Sequence, residues 1–266
     1  MRQRHMRKRT AGFVLGAAIG LAASAAADQW DRGADPDNGN GTDNVLFHGS
    51  EQVHDLAVQP GSLETQGSLE DEDWYLVPTH ARSSYQFVVD GPTGELDLAT
   101  ADVSLVSPTG AALASAVAAD GVLSLIWLGG TGGIDTRFVR VSGPGCATAC
   151  DESDRYTARF YETTATIPRF NDSGTQATVL LLQNTTSRNC ILNIYFLNGS
   201  GHQVGPTHLL GLGPHELRTK TSDLPNQSGS VRIAHGCGYG GLSGKAVSIE
   251  PATGFTFDTP LVYRPR

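Results

Sequence analysis

Lysine is nearly absent from this sequence: three of 266 residues, Lys8, Lys220 and Lys245. Lys and Arg together number 19 against 27 Asp and Glu. A chain this poor in cations, with no basic stripe, repels phosphate backbones, which argues against nucleic-acid binding. Long apolar runs are also lacking beyond the first 27 residues; none approaches the ~20 residues of a membrane-spanning helix. The ending "LVYRPR" closes on Arg and not on an apolar anchor tail. Helical periodicity is scarce as well, so an all-helical or doubly wound architecture finds no support.

The first 27 residues form a chemistry of their own. Arg2, Arg4, Arg7, Lys8 and Arg9 make a positive start, Ala11 to Ala23 is apolar, and Ala25-Ala26-Ala27 offers small residues for cleavage before Asp28. That order is a bacterial-type secretory signal peptide, with an uncleaved N-terminal anchor as the other reading. All 27 acids lie after residue 27, together with 14 of the 19 basic residues, so the exported part carries a formal net charge of −13. A secreted or periplasmic location follows, with no membrane span once the signal is removed.

Four cysteines, Cys146, Cys150, Cys190 and Cys237, all fall in that part. An even count in an oxidising compartment predicts two disulfides, with three pairings open. The compact choice joins Cys146 to Cys150 and Cys190 to Cys237. A four-cysteine zinc site is the competitor, but it wants two close pairs, and Cys190 and Cys237 are not one.

What is abundant is strand and turn. Tyr85, Phe87 and Val89 alternate toward one face of "SSYQFVVDG", as do Tyr156, Ala158 and Phe160 in "RYTARFYETT". "QATVLLLQN" and "NCILNIYFLN" are apolar runs suited to interior strands. Turn signals such as "DGPTG", "SGPG" and "LNGSG" recur every ten residues or so, and 32 glycines supply their conformations. "AALASAVAAD" reads as the entry to a strand, with a helical turn as the alternative. The expected fold is all-β: two antiparallel β-sandwich domains (jelly-roll or Ig-like) in tandem. Residues 28–44 are a polar leader, 45–163 the first sandwich and 164–266 a second one of unassigned role.

The ordered series "GSLEDEDWYLVPTHARSSYQFVVDG", "VSLVSPTGAAL", "RFVRVSG" and "DRYTARFYET" resembles the bacterial pre-peptidase C-terminal (PPC) domain over about residues 53–163. The insert "GPGCATACDES" departs from that pattern, where the family has a short turn. The resemblance implies a secreted β-sandwich appendage of the kind often carried by proteases, in some cases linked to calcium, collagen or polysaccharide. The C-terminal half resembles an uncharacterised module of secreted bacterial proteins, and it brings no protease domain.

The acidic run Glu70 to Asp73 reads first as a solvated turn before Trp74 and Tyr75, with calcium support through Asp71 or Asp73 as the alternative. "DPDNGNGTDN" places Asp35, Asp37 and Asp43 at positions 1, 3 and 9 of a calcium loop. Gly39 stands where a ligand belongs, however, and Asn40 where glycine belongs, so a polar arm is the simpler reading. Calcium is the one cofactor these residues suggest. "HELRT" lacks the second histidine of a zinc-protease helix, and "GGLSGK" lacks the spacing of a phosphate loop. "NDSGT" is a single copy of an aspartic-protease-like string in ordinary turn chemistry. Trp30, Trp74 and Trp127 offer stacking faces for sugars, with a core role as the alternative for the last two.

The sequence therefore predicts a non-catalytic binding or structural protein at the cell exterior, with polysaccharide, a surface protein or matrix as partner. The alternatives are a hydrolase or metal-dependent enzyme with its site at the domain interface, and an inert accessory subunit of a separate exported enzyme. The metal reading has a direct check. If the leader holds calcium, the melting midpoint rises in millimolar calcium over chelator; an unchanged midpoint leaves the leader a polar arm.

Overall fold

A computed structural model describes residues 42, 44–56, 72–91, 101–119, 121–130, 135–143 and 155–266. Asp35, Asp37, Asp43, Asp71, Trp30, Cys146 and Cys150, all singled out above, lie outside these residues, as does the signal segment. Every regular element among the described residues is a strand, and no helix there is long and apolar enough to cross a membrane.

The N-terminal half holds β1 (Ser50–Asp55), β2 (Glu72–Thr79), β3 (Ser84–Asp90), β4 (Asp102–Val106), β5 (Ala112–Ser115), β6 (Val117–Ala119), β7 (Val122–Leu128), β8 (Asp135–Ser142) and β9 (Arg155–Glu162). They form two antiparallel sheets, ordered β1-β9-β3-β7-β6 and β2-β8-β4-β5. The segment before β1 adds a parallel bridge from Val45 to Leu76. The C-terminal half holds β10 (Ala165–Asn171), β11 (Ala177–Asn184), β12 (Cys190–Asn198), β13 (His208–Leu212), β14 (Leu217–Thr221), β15 (Ser228–His235), β16 (Leu242–Glu250), β17 (Phe255–Pro260) and β18 (Val262–Tyr263). Its sheets run β13-β12-β15-β10-β18 and β14-β11-β16-β17. The architecture is the all-β arrangement expected, and "AALASAVAAD" becomes the short strands β5 and β6.

Alternation explains the cores. Tyr85, Phe87 and Val89 of β3 and Tyr156, Ala158 and Phe160 of β9 point into one cluster with Tyr75, Val77, Val139 and Val141 from the opposing sheet. A second cluster is built from Ile167, Leu180, Leu182, Leu192, Ile194, Phe196, Val231 and Ile233. The first draws on residues 46–160 and the second on 165–246, so each pair of sheets encloses its own apolar interior. The apolar runs β11 and β12 are interior strands, each flanked on both sides. Trp74 leaves the main core for a small cluster with Val106 and Phe138 on the outer side of its sheet. Trp127 stacks on Tyr85 and Phe160 at 5.6 and 6.0 Å between ring centroids. Neither tryptophan is a free stacking platform.

The acidic run departs from the solvated-turn reading at Asp73, which is fully buried. Strand alternation forces this: Asp73 shares a face with Tyr75 and Val77, and that face is the core. A buried carboxylate is tolerated only with partners. Tyr156 donates its hydroxyl to Asp73, the Tyr75 and Tyr156 hydroxyls lie 2.6 Å apart, and His54 Nδ1 is 3.4 Å from Asp73 Oδ1. The His54 ring stacks on Tyr156 at 5.7 Å. Burial, and then the Asp73 charge, push the Tyr156 hydroxyl well above its ordinary range, so it stays a donor.

Cys190 and Cys237 are bonded, tying β12 to the loop after β15 across 47 residues of sequence. Two outcomes follow. Tyr156→Phe leaves Asp73 short of a donor and lowers unfolding free energy by about 1–3 kcal/mol in urea titrations. Replacing Cys190 and Cys237 together by Ser costs about 2–4 kcal/mol in the same assay.

Candidate functional site at the junction of the two sandwiches

The two sandwiches meet where β9 gives way to β10 through Thr163 and Thr164, both buried. Hydroxyls staple this crossing. Thr163 Oγ1 donates to Ser84 Oγ at 2.8 Å, Ser84 N–H donates to Thr164 Oγ1 at 3.0 Å, and His235 N–H donates to Ser84 Oγ at 3.0 Å. Short polar side chains at "SS" and "TT" suit the purpose, because each offers a donor and two acceptors with little bulk.

Three further pieces converge on the same place. The first is Glu162 at the end of β9, whose Oε1 accepts from Arg232 at 3.1 Å and Ser83 at 3.2 Å, with Arg264 3.5 Å from its Oε2. The second is the loop 236–241, "GCGYGG", anchored by the disulfide. Gln86 accepts the Tyr239 N–H at 2.8 Å. Gly238 has φ +81°, and a Cβ there would stand 3.3 Å from the Gln86 amide, so the close docking needs glycine. The third is the strap 262–266, "VYRPR". Tyr239 donates its hydroxyl to the Arg264 carbonyl at 2.7 Å, and Tyr263 donates its own to the Leu242 carbonyl at 2.7 Å.

His48 joins strap to strand. Its Nδ1 accepts the Glu162 N–H at 2.8 Å, and its Nε2 lies 2.8 Å from the Pro265 carbonyl. A backbone N–H can only donate and a carbonyl can only accept, so His48 is the neutral tautomer protonated on Nε2. Around it stand the half-buried rings of Tyr161, Tyr239 and Tyr263. Tyr161 and Tyr239 are 5.2 Å apart, and Tyr239 and Tyr263 are 5.4 Å apart. The Arg266 guanidinium lies over Tyr161 and Tyr239 at 4.8 and 4.6 Å, a paired cation–π contact.

Beside this cluster opens a cleft of about 80 Å³. The buried Tyr85 and Phe160, Pro78 and the exposed Phe47 line it together with His48, His80, Glu162 and Arg264. Tyr85 accepts the His80 N–H at 2.6 Å, and burial raises its hydroxyl above the ordinary range. Glu162 and His48 are already committed to bonds that join the sandwiches. What faces outward is apolar and aromatic surface with guanidinium N–H groups, which suits recognition.

The strings weighed in the sequence resolve as structure. Asp172 of "NDSGT" is buried and accepts from Ser222, from the Thr178 N–H at 2.7 Å and from the Leu224 N–H at 3.1 Å. Glu216 of "HELRT" caps the Gly213 N–H at 2.6 Å in a turn where His215 has φ 55°. "GGLSGK" enters β16, and its Lys245 pairs with Asp258. Among the described residues no group of three or more His, Cys, Asp or Glu is placed to hold a metal. Asp73 stands apart from the junction, in the first core. The junction residues escaped sequence reading because they come from five separated stretches; the one local signal available is the glycine-bracketed tyrosine of "GCGYGG", a composition that permits close packing of a loop.

No protein-family model matches the chain, and no curated protein matches it. A solved pre-peptidase C-terminal domain of a collagenase from Bacillus anthracis is similar over 44% of this chain and 92% of that one, at 11% identity and a TM-score of 0.30. Superposition that loose leaves the fold to rest on the strands themselves.

The junction also sets a pH dependence. His235 is buried beneath it, and desolvation lowers it from 6.5 to about 4 against a backbone hydrogen bond to Thr163. The unfolded chain takes up this proton near pH 6.5 and the folded one only near 4, so stability is full above 6.5 and falls as pH drops through that window. The loss is on the order of 3 kcal/mol once pH 4 is passed. Denaturant titrations from neutral pH down to the carboxylate range show the slope, and His235→Gln removes it.

Proposed function

We propose that this chain is a non-catalytic binding protein of the cell exterior, and that its binding surface is the junction of the two sandwiches. One observation carries the reading: both sandwiches contribute to a single surface that presents Phe47, Tyr161 and Tyr239 beside Arg264 and Arg266, while the acid and base of the cleft are occupied in holding the junction. Aromatic and arginine side chains held in place are the residue types that dominate recognition surfaces, because they offer large contact area at little entropic cost. Export is supported by the signal-like start and by the Cys190–Cys237 disulfide, a bond that persists in oxidising compartments.

The likeness of the first sandwich to the PPC pattern supports an appendage role, with polysaccharide, surface protein or matrix as the ligand class. The second sandwich has a definite part in this role: it supplies Arg232, Tyr239, Arg264 and Arg266 to the shared surface. The test is a screen of the chain against glycans and extracellular proteins, repeated with Phe47→Ala and Tyr161→Ala. Each substitution weakens the captured ligand at least about ten-fold, the loss of one hot-spot contact, with the melting midpoint nearly unchanged for the exposed Phe47. Binding that ignores both substitutions places the site elsewhere and ends the proposal.

A further inference from the structure

We infer that the junction surface recognises an acidic polysaccharide, its carboxylates taken by Arg264 and Arg266; this rests on the binding role proposed above. The chain carries a formal net charge of −8, and lysine is almost missing from it; Arg155, Arg169 and Arg218 are exposed singly elsewhere, whereas Arg264 and Arg266 are exposed together on this one segment. Arg264 is 63% exposed, and Arg232, closer to Glu162, already balances that carboxylate. Arg266 is exposed at its edge while its face is fixed over Tyr161 and Tyr239. Guanidinium forks held in position are suited to bidentate contact with carboxylates, since little side-chain freedom remains to be lost on binding.

The spacing supports a polymer. Arg264 precedes Pro265, which biases it to an extended conformation, and alternate residues of an extended segment stand on the order of 6–7 Å apart. Hydrogen bonds from the Tyr239 hydroxyl to the Arg264 carbonyl and from His48 Nε2 to the Pro265 carbonyl hold that segment down. A saccharide is favoured over an acidic peptide by the cleft beside the arginines. It is about 80 Å³, with the exposed ring of Phe47 along it and the buried, mutually stacked Tyr85 and Phe160 beneath. Such a space takes the apolar face or a small substituent of one sugar ring; it does not offer the series of pockets that side chains of an extended peptide require.

Affinity electrophoresis of the full chain in gels containing polygalacturonate tests this, with dextran gels as the neutral arm and poly-glutamate as competitor. The expected result is retardation in polygalacturonate alone, weakening as salt rises. In Arg264→Ala/Arg266→Ala the apparent affinity falls at least ten-fold. The lysine pair, Arg264→Lys/Arg266→Lys, keeps the charge, loses the forks and still binds several-fold more weakly than the native chain. A melting curve confirms that each variant folds, and the lysine pair carries the test if the alanine pair does not fold. No retardation in polygalacturonate, equal retardation in dextran, or unchanged affinity in the folded variants overturns the inference. Displacement by poly-glutamate as effective as by free polygalacturonate overturns the saccharide assignment. A neutral glycan or a protein whose capture depends on Phe47 and Tyr161 would leave the junction as the binding surface and remove only its acidic specificity.

Discussion

The carboxylate of Glu162 is the point on which the arrangement of the two sandwiches turns. It ends the last strand of the first sandwich and is met by Arg232 from the second, by Arg264 from the strap and by the Ser83 hydroxyl. Its own backbone N–H is taken by His48, whose far nitrogen reaches the Pro265 carbonyl. Removing Arg232, the Ser83 hydroxyl or His48 leaves buried charge or polar groups short of the bonds that offset their desolvation, whereas the exposed Arg264 adds only a looser contact at 3.5 Å. The strap, the loop 236–241 and the crossing between β9 and β10 are thereby fixed to one another, and the outward surface they share is fixed with them.

A second polar constraint sits inside the first sandwich, where an apolar core would be expected throughout. Asp73, Tyr156, Tyr75 and His54 lie among aliphatic and aromatic neighbours, and their partnerships specify which strand faces which. A one-residue slip of β2 would turn Asp73 to solvent and Trp74 into the core, stranding the Tyr156 hydroxyl. The network therefore sets register as well as contributing stability. The same logic holds at Asp172 in the second sandwich, where one buried carboxylate collects three donors from two separate segments.

The sequence was most legible where periodicity decides the matter. The alternation of Tyr85, Phe87 and Val89, and of Tyr156, Ala158 and Phe160, reads directly as a core face and is one. The apolar runs at β11 and β12 read as interior strands and are flanked on both sides. Local reading failed at Asp73, because a run of four acids looks solvated from composition, whereas the pleat of a single strand separates its members. It failed more completely at the junction. His48, Ser84, Glu162, Tyr239 and Arg266 are unremarkable one by one, and nothing in their spacing reports that they meet.

By itself the sequence determined an all-β chain, the apolar face of each principal strand, the signal-like start and the acidic balance, because these depend on composition and on a period of two. Only the tertiary structure decided that Asp73 lies in the core, that Cys190 bonds to Cys237 out of three open pairings, and that the last residues strap one sandwich to the other. Those outcomes depend on which distant segments approach, and that is fixed by the partnering of buried polar groups across the fold, a property no local window of residues contains.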